Sequence, residues 1–216
     1  MLSKHRQIER LFSRYPALST IASEIENFTD ELILLYSREG TLFLAGNGGS
    51  ASDCEHICGE LLKGFKSKRP LDEKNIAAFR SFFGDEGENE AKSLQNGFRA
   101  ISLLSHSALL SAFSNDVDPD LAFAQQLWSL GREGDIFLGI STGGNAKNIV
   151  NAMRAAKVKG MTTVLLTGNR HGCAEKFADI VIAVPESETF MIQEYHLPIY
   201  HAVALAVEDF FFKNME

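Results

Sequence analysis

The chain has 216 residues, 45% of them apolar and 23% charged; this suits one soluble domain and excludes wholesale disorder and collagen-like fibres. Twenty-one Lys or Arg residues against 28 Asp or Glu give a formal net charge of -7. Nonspecific nucleic-acid or anionic-membrane binding needs basic patches, so both are argued against; small anionic substrates stay open, because backbone amides bind phosphate whatever the net charge.

The first 38 residues read as helical: MLSKHRQIERLF is amphipathic and charged, without a signal-peptide core, and a helical pattern runs over 17–38. An apolar run at 41–45 (TLFLA) predicts a strand, and 50–64 a helix. Residues 66–97 begin basic (KSKRP) and contain GDEGENE, too acidic and glycine-rich to pack, and are expected to form a partly helical, mobile excursion. A second strand is predicted at 98–104 (FRAISLL), then helices at 105–114 and 119–131, and a strand at 135–140 (DIFLGI). A helix over 145–159 follows, with Asn145 as its cap and Gly160 at its end. Strands at 162–167 (TTVLLT) and 179–184 (DIVIAV) flank a helical stretch at 171–178, and a last helix covers 190–213. Short β-branched runs alternating with helices imply an α/β fold: a doubly wound, mainly parallel five-stranded sheet flanked by helices, in a single domain over 1–216. No window holds the run of about 18 apolar residues that a membrane helix needs.

Such sheets bind ligands where strands end and helices begin. Two turns at such places share a design. Gly46-Asn47-Gly48-Gly49-Ser50 follows the first strand, and Ser141-Thr142-Gly143-Gly144-Asn145 follows the third. Glycines let the backbone approach a ligand, helix-start amides face an anion, and hydroxyls add donors. One glycine turn alone is as well explained by turn geometry; two at one sheet edge converge on one cleft and point to a phosphorylated small molecule. There is no GK[ST] after the first turn. Gly46-x-Gly48-x-x-Ala51 fits the loose dinucleotide pattern, but no acidic residue ends the second strand, which closes Leu-Ser-His.

His56 and Glu60 stand at i,i+4 on one face of the helix after the first turn. The spacing suits two ligands of one metal, an acid–base pair, or an ordinary solvated helix contact. Cys54 and Cys58 lie on another face and read as small buried hydrophobes. The three cysteines (with Cys173) form no disulfide framework, which favours a reducing cytoplasm. On the last helix, Gln193 and His201 are about 12 Å apart in axial rise, too far for both to reach one metal ion on a straight helix. A kink at Pro198 or a site shared between subunits would resolve this, whereas His196 and Glu194 are expected to face elsewhere.

These pieces, in this order, resemble the sugar isomerase (SIS) fold and, within it, the phosphoheptose isomerases. The matching stretches are AGNGGSASDCEHICGELLKGF, FSND, GREGDIFLGISTGGN, KGMTTVLLTGN and IQEYHLPIYH. The resemblance implies interconversion of sedoheptulose 7-phosphate and glycero-manno-heptose 7-phosphate through an enediol(ate). It implies that Asn47, Gly48, Gly49 and Ser50 line the sugar-phosphate site, that Ser141 and Thr142 hold phosphate, and that Asn115 and Asp116 contact the sugar. His56, Glu60, Gln193 and His201 match the family's metal and catalytic positions, with zinc as the metal, Glu60 as base and His201 as acid. Gln193 and Glu60 also face the substrate. It further implies a cytoplasmic homotetramer whose sites use more than one subunit. The chain departs from the family at STGGNA, where STSGNS is common, at Phe190, where an aspartate is common, and in the length of 66–97. The alternative is a non-catalytic SIS protein binding a phosphosugar or another protein; such relatives tend to lack the H-x-x-x-E and the final histidine together, and this chain keeps both.

Overall fold

The computed structural model describes residues 5–212; residues 1–4 of the expected N-terminal helical region and residue 213 of the last helix lie outside them. Five strands form one parallel sheet: β1 (Leu42–Gly46), β2 (Ala100–Ser102), β3 (Ile136–Ile140), β4 (Thr162–Thr167) and β5 (Ile180–Ala183), ordered β2-β1-β3-β4-β5. Side chains alternate across the sheet. Leu42 and Leu44 join one apolar layer, Phe43 and Ala45 the other. The first layer is covered by α1 (Arg6–Arg14), α2 (Ala22–Ser37), α3 (Gly49–Leu62) and α8 (Thr189–Phe212). The second is covered by α6 (Ala122–Leu130) and α7 (Lys147–Val158). Burial on both faces explains why each strand reads as an unbroken apolar run. The chain leaves β1 toward β2 and returns to β3 on the other side. The crevice of a doubly wound sheet opens at such a switch point.

Several expectations are corrected. Only Ala100–Ser102 of the second predicted strand pairs, along β1 at the sheet edge, while Phe98 turns into the core beside the Arg69 guanidinium. The 119–131 helix is a 3-10 turn, Pro119–Leu121, capped by Asp118, followed by α6. The 171–178 stretch is a 3-10 turn, Cys173–Phe177. Asn145 does not cap α7: its amide donates to Gly143 O and its oxygen accepts from Cys173 N, so it braces the loop instead. Gly160, at φ 71°, does end α7.

The excursion is partly helical, as expected. It is helical from Glu73 to Ser93 (α4), with a reversal at Gly84 (φ 66°, ψ -148°) that only glycine adopts readily. Arg80 and Glu88 pair at 3.1 Å, although eight residues of straight helix would separate them by about 12 Å. GDEGENE does pack. A Cβ on Gly87 would lie 2.6 Å from Phe79 O, so the glycine lets the two halves touch. The arm's base is closed by an antiparallel bridge between Pro70 and Gln95 and by Asn96 N donating to Arg69 O at 2.7 Å.

Candidate functional site

β1 and β3 are neighbours in register, with Gly46 opposite Ile140, so their two turns emerge side by side. Asn47 after β1 and Asn148 at the start of α7 exchange two amide hydrogen bonds, 3.0 and 2.9 Å, and clamp the turns together. Gly48 sits at φ 55°, ψ -121° and leads into α3. Ser50 is buried, and a Cβ on Gly46 would collide with its carbonyl, so the turn is wound as tightly as glycine permits. In the second turn Ser141 is buried, and Gly144 (φ 63°) packs against Gly172 backbone. The two expected anion-binding turns thus share one edge. The helix start and its dipole suit a phosphate there.

Helices α3 and α8 run in parallel alongside each other. The Gln193 amide stands against Gly49: a Cβ there would lie 2.4 Å from Nε2. Further along, Tyr200 bonds Asp53 and His56, and His201 meets His56. Pro198 lies within α8 without ending it. Each partner on α8 therefore faces a residue about 145 positions earlier on α3, and the sequence estimate of distance holds: Gln193 meets the first residue of α3 and His201 meets His56 near its middle.

His56 is the hub. Its Nε2 lies 3.3 Å from Glu60 Oε1 and 3.3 Å from His201 Nε2. Tyr200 OH donates to Asp53 Oδ1 at 3.1 Å and stands 3.1 Å from His56 Nδ1. With its proton committed to the carboxylate, the hydroxyl accepts from Nδ1–H, which leaves the Nε2 lone pair facing Glu60 and His201. Burial holds His201 below its ordinary pKa, helped by His56 and opposed by Glu60. Burial also raises Asp53, against the Tyr200 hydrogen bond and His56. Glu60 Oε2 is buried without a hydrogen bond; Lys63 Nζ approaches it only to 3.5 Å.

Among the described residues no three His, Cys, Asp or Glu side chains stand ready-made around a common metal position. The donors suit zinc in kind, and His56 stands 3.3 Å from Glu60 and 3.3 Å from His201. Zinc takes imidazole nitrogen and carboxylate oxygen at about 2.0–2.1 Å, which places tetrahedral ligands about 3.3 Å apart. Glu60 Oε2 is buried without a hydrogen bond, and the Nε2 atoms of His56 and His201 face each other. His56 meets this spacing with each of Glu60 and His201; Gln193 of the same chain stands with Gly49 instead.

Asn115 and Asp116 end α5 (Ser107–Asp116), exposed and bonded to each other at 2.9 Å. No described contact ties them to the turns or to His56. His196 is fully buried, with Nε2 3.4 Å from Thr167 O, and stays out of the cluster as expected. Sequence reasoning passed over Asn148, Asp53 and Tyr200. Asp53 carried a signal, since it lies three residues before His56 on the same helix face.

Known proteins share this fold. The SIS domain family matches residues 103–208. The phosphoheptose isomerase of Burkholderia pseudomallei (strain K96243) is 34% identical over 202 residues, 94% of this chain and 89% of that protein. That of Sulfurimonas denitrificans is 36% identical over 188 residues, 87% and 83% of the two chains. The structure of phosphoheptose isomerase GmhA from Neisseria gonorrhoeae superposes with a TM-score of 0.72 at 25% identity, covering 91% of each chain.

Proposed function

Since the chain belongs to the phosphoheptose isomerase family, we propose that it is an aldose–ketose isomerase converting sedoheptulose 7-phosphate to glycero-manno-heptose 7-phosphate, in the cytoplasm and as a homotetramer. One observation supports this above the rest: the carboxylate of Glu60 and the imidazole of His201 both meet His56, on helices that start beside two phosphate-facing turns.

In this reading Ser50, Ser141, Thr142 and the turn amides hold the phosphoryl group, while Asn47, Gly48, Gly49 and Gln193 line the sugar. Asn115 and Asp116 reach the sugar from a neighbouring copy. The reaction removes a proton from C1, protonates the C2 oxygen, takes a proton from the C1 oxygen and returns one to C2. Glu60 moves the carbon-bound proton: its Oε2 carries no hydrogen bond that would compete for it. His201, held toward its neutral form by burial, carries the proton between the oxygens. Tyr200 and Asp53 keep His56 in the tautomer whose Nε2 faces both. His56, Glu60 and His201 would hold zinc, with Gln193 joining from a neighbouring copy, and the ion would supply Lewis-acid polarisation of the sugar carbonyl.

The test is a panel of phosphosugars run on metal-analysed protein with and without a chelator. Glu60→Gln and His201→Ala are each expected to abolish turnover while sparing phosphosugar binding and the assembly. Near-normal rates in both would remove the assignment, and phosphosugar binding without turnover by the unmutated protein would favour a non-catalytic regulator.

A further inference from the structure

Arg69 heads the largest fully buried side chains of the described core, at 1% exposure. It also holds φ 48°, a left-handed conformation that is uncommon and strained outside glycine. A guanidinium removed from water needs partners at all its edges. Nε donates to Glu208 Oε1 at 2.8 Å, Nη1 to Leu61 O at 2.8 Å and Nη2 to Glu60 O at 3.3 Å. Its flat face lies 4.6 Å from the Phe98 ring centre. The carbonyls it takes are those of the last turn of α3, which have no partner within the helix.

Glu208, on α8, is as fully engaged. Its Oε1 also accepts from Phe65 N at 2.9 Å, and Oε2 accepts from Lys66 N and Ser67 N at 2.9 and 3.1 Å. Those amides fix the loop after α3, and the Phe65 ring then rests 5.3 Å from the His201 ring. One side chain thus grips the backbone of Glu60, and the other, two turns beyond His201, grips the loop that buttresses that imidazole.

We propose that Arg69 and Glu208 are a positioning pair that sets the placement of Glu60 relative to His201, and with it the rate of proton transfer. The proposal rests on the roles given above to Glu60 and His201. Stability alone does not account for the pair, because a buried ion pair is often matched or bettered by apolar residues of similar volume. What apolar residues do not supply is a bond to each of five backbone groups on two elements. Displacing a reacting group by an ångström costs rate without touching the phosphate grip at the other end of α3.

The experiment measures kcat and KM per folded molecule, with the folded fraction read by circular dichroism. Arg69→Ala and Glu208→Gln are expected to lose about 100-fold in kcat while KM stays within about threefold. Added guanidinium ion is expected to restore part of the kcat of Arg69→Ala without changing its folded fraction. If Arg69→Ala fails to fold, Glu208→Gln carries the same readout, since it keeps the side chain's size and one acceptor oxygen. Activity that falls only as the folded fraction falls, with kcat per folded molecule unchanged in both variants, overturns the pairing. Glu60→Gln is run alongside. Normal turnover there overturns the roles on which the proposal rests; lost turnover there with normal kcat in the Arg69 and Glu208 variants overturns the positioning pair alone.

Discussion

Gly49→Ala separates the stability of α3 from the chemistry beside it. Gly49 is the first residue of α3 and does not hold a positive φ, so alanine meets no backbone strain. Its new methyl would lie 2.4 Å from Gln193 Nε2, 3.0 Å from Cδ and 3.2 Å from Oε1. The obstacle is the far end of a flexible side chain, which must retreat by about 1 Å to regain van der Waals contact near 3.5 Å. Folding is little harmed, since alanine in place of helical glycine is worth about 0.5–1 kcal/mol. The displaced amide is another matter. A shift of about 1 Å in a substrate-contacting group costs up to roughly 100-fold in rate. Gly59→Ala is the matched control, because nothing stands within 4 Å of its Cβ position on the same helix. Thermal melts are expected to show both variants at or above the unmutated Tm. Turnover of sedoheptulose 7-phosphate is expected to collapse in Gly49→Ala and persist in Gly59→Ala. A Gly49→Ala enzyme with unchanged kcat and KM would refute the placement of Gln193 at the substrate.

Burial drives the pKa of His196 from 6.5 to about 4. Between those values the unfolded chain binds a proton that the folded chain refuses, so stability falls as pH drops through that window, by about 3 kcal/mol in all. Urea unfolding at pH 7 and pH 4.5 is expected to show that loss in the unmutated chain and much less of it in His196→Leu; equal losses would contradict it. The arm is expected to be separable from the rest. With Pro70 and Gln95 already paired across its base, an Asn-Gly hairpin turn in place of 71–94 closes the pair with a favoured two-residue loop. That variant is expected to keep its cooperative melt and its kcat; a tenfold loss of kcat in a folded protein would make the arm part of the site.

The strands were legible because two-faced burial leaves them without charge and rich in apolar or β-branched residues: LFLAG, IFLGI and TTVLLT announce themselves. β2 was overrun because Phe98 is just as apolar yet serves the Arg69 pocket rather than the ladder. The composition of GDEGENE reported its solvation correctly but not that Gly84 and Gly87 serve a reversal and a close approach. Asn145 carried a cap's chemistry but spends it on Cys173, a partner from a distant loop. At the site, His56 and Glu60 could be paired from their spacing alone. Their meeting with His201, and the assignment of Tyr200 and Asp53, depended on the alignment of α3 with α8, which no local pattern encodes. The same long-range alignment explains why Gln193 and His201 both face α3 without facing one point.

All five strands and both glycine turns are complete by residue 184, whereas Gln193, Tyr200, His201 and Glu208 arrive with α8, which is synthesised after them. Translation therefore delivers the grip before the reactivity. A nascent chain still missing its final helix presents His56 and Glu60 with no second imidazole, no hydroxyl to fix the tautomer and no carboxylate to pin the loop after α3. A chain that stops before α8 therefore carries both glycine turns without the second imidazole, and without the apolar residues that α8 adds to the layer over the sheet.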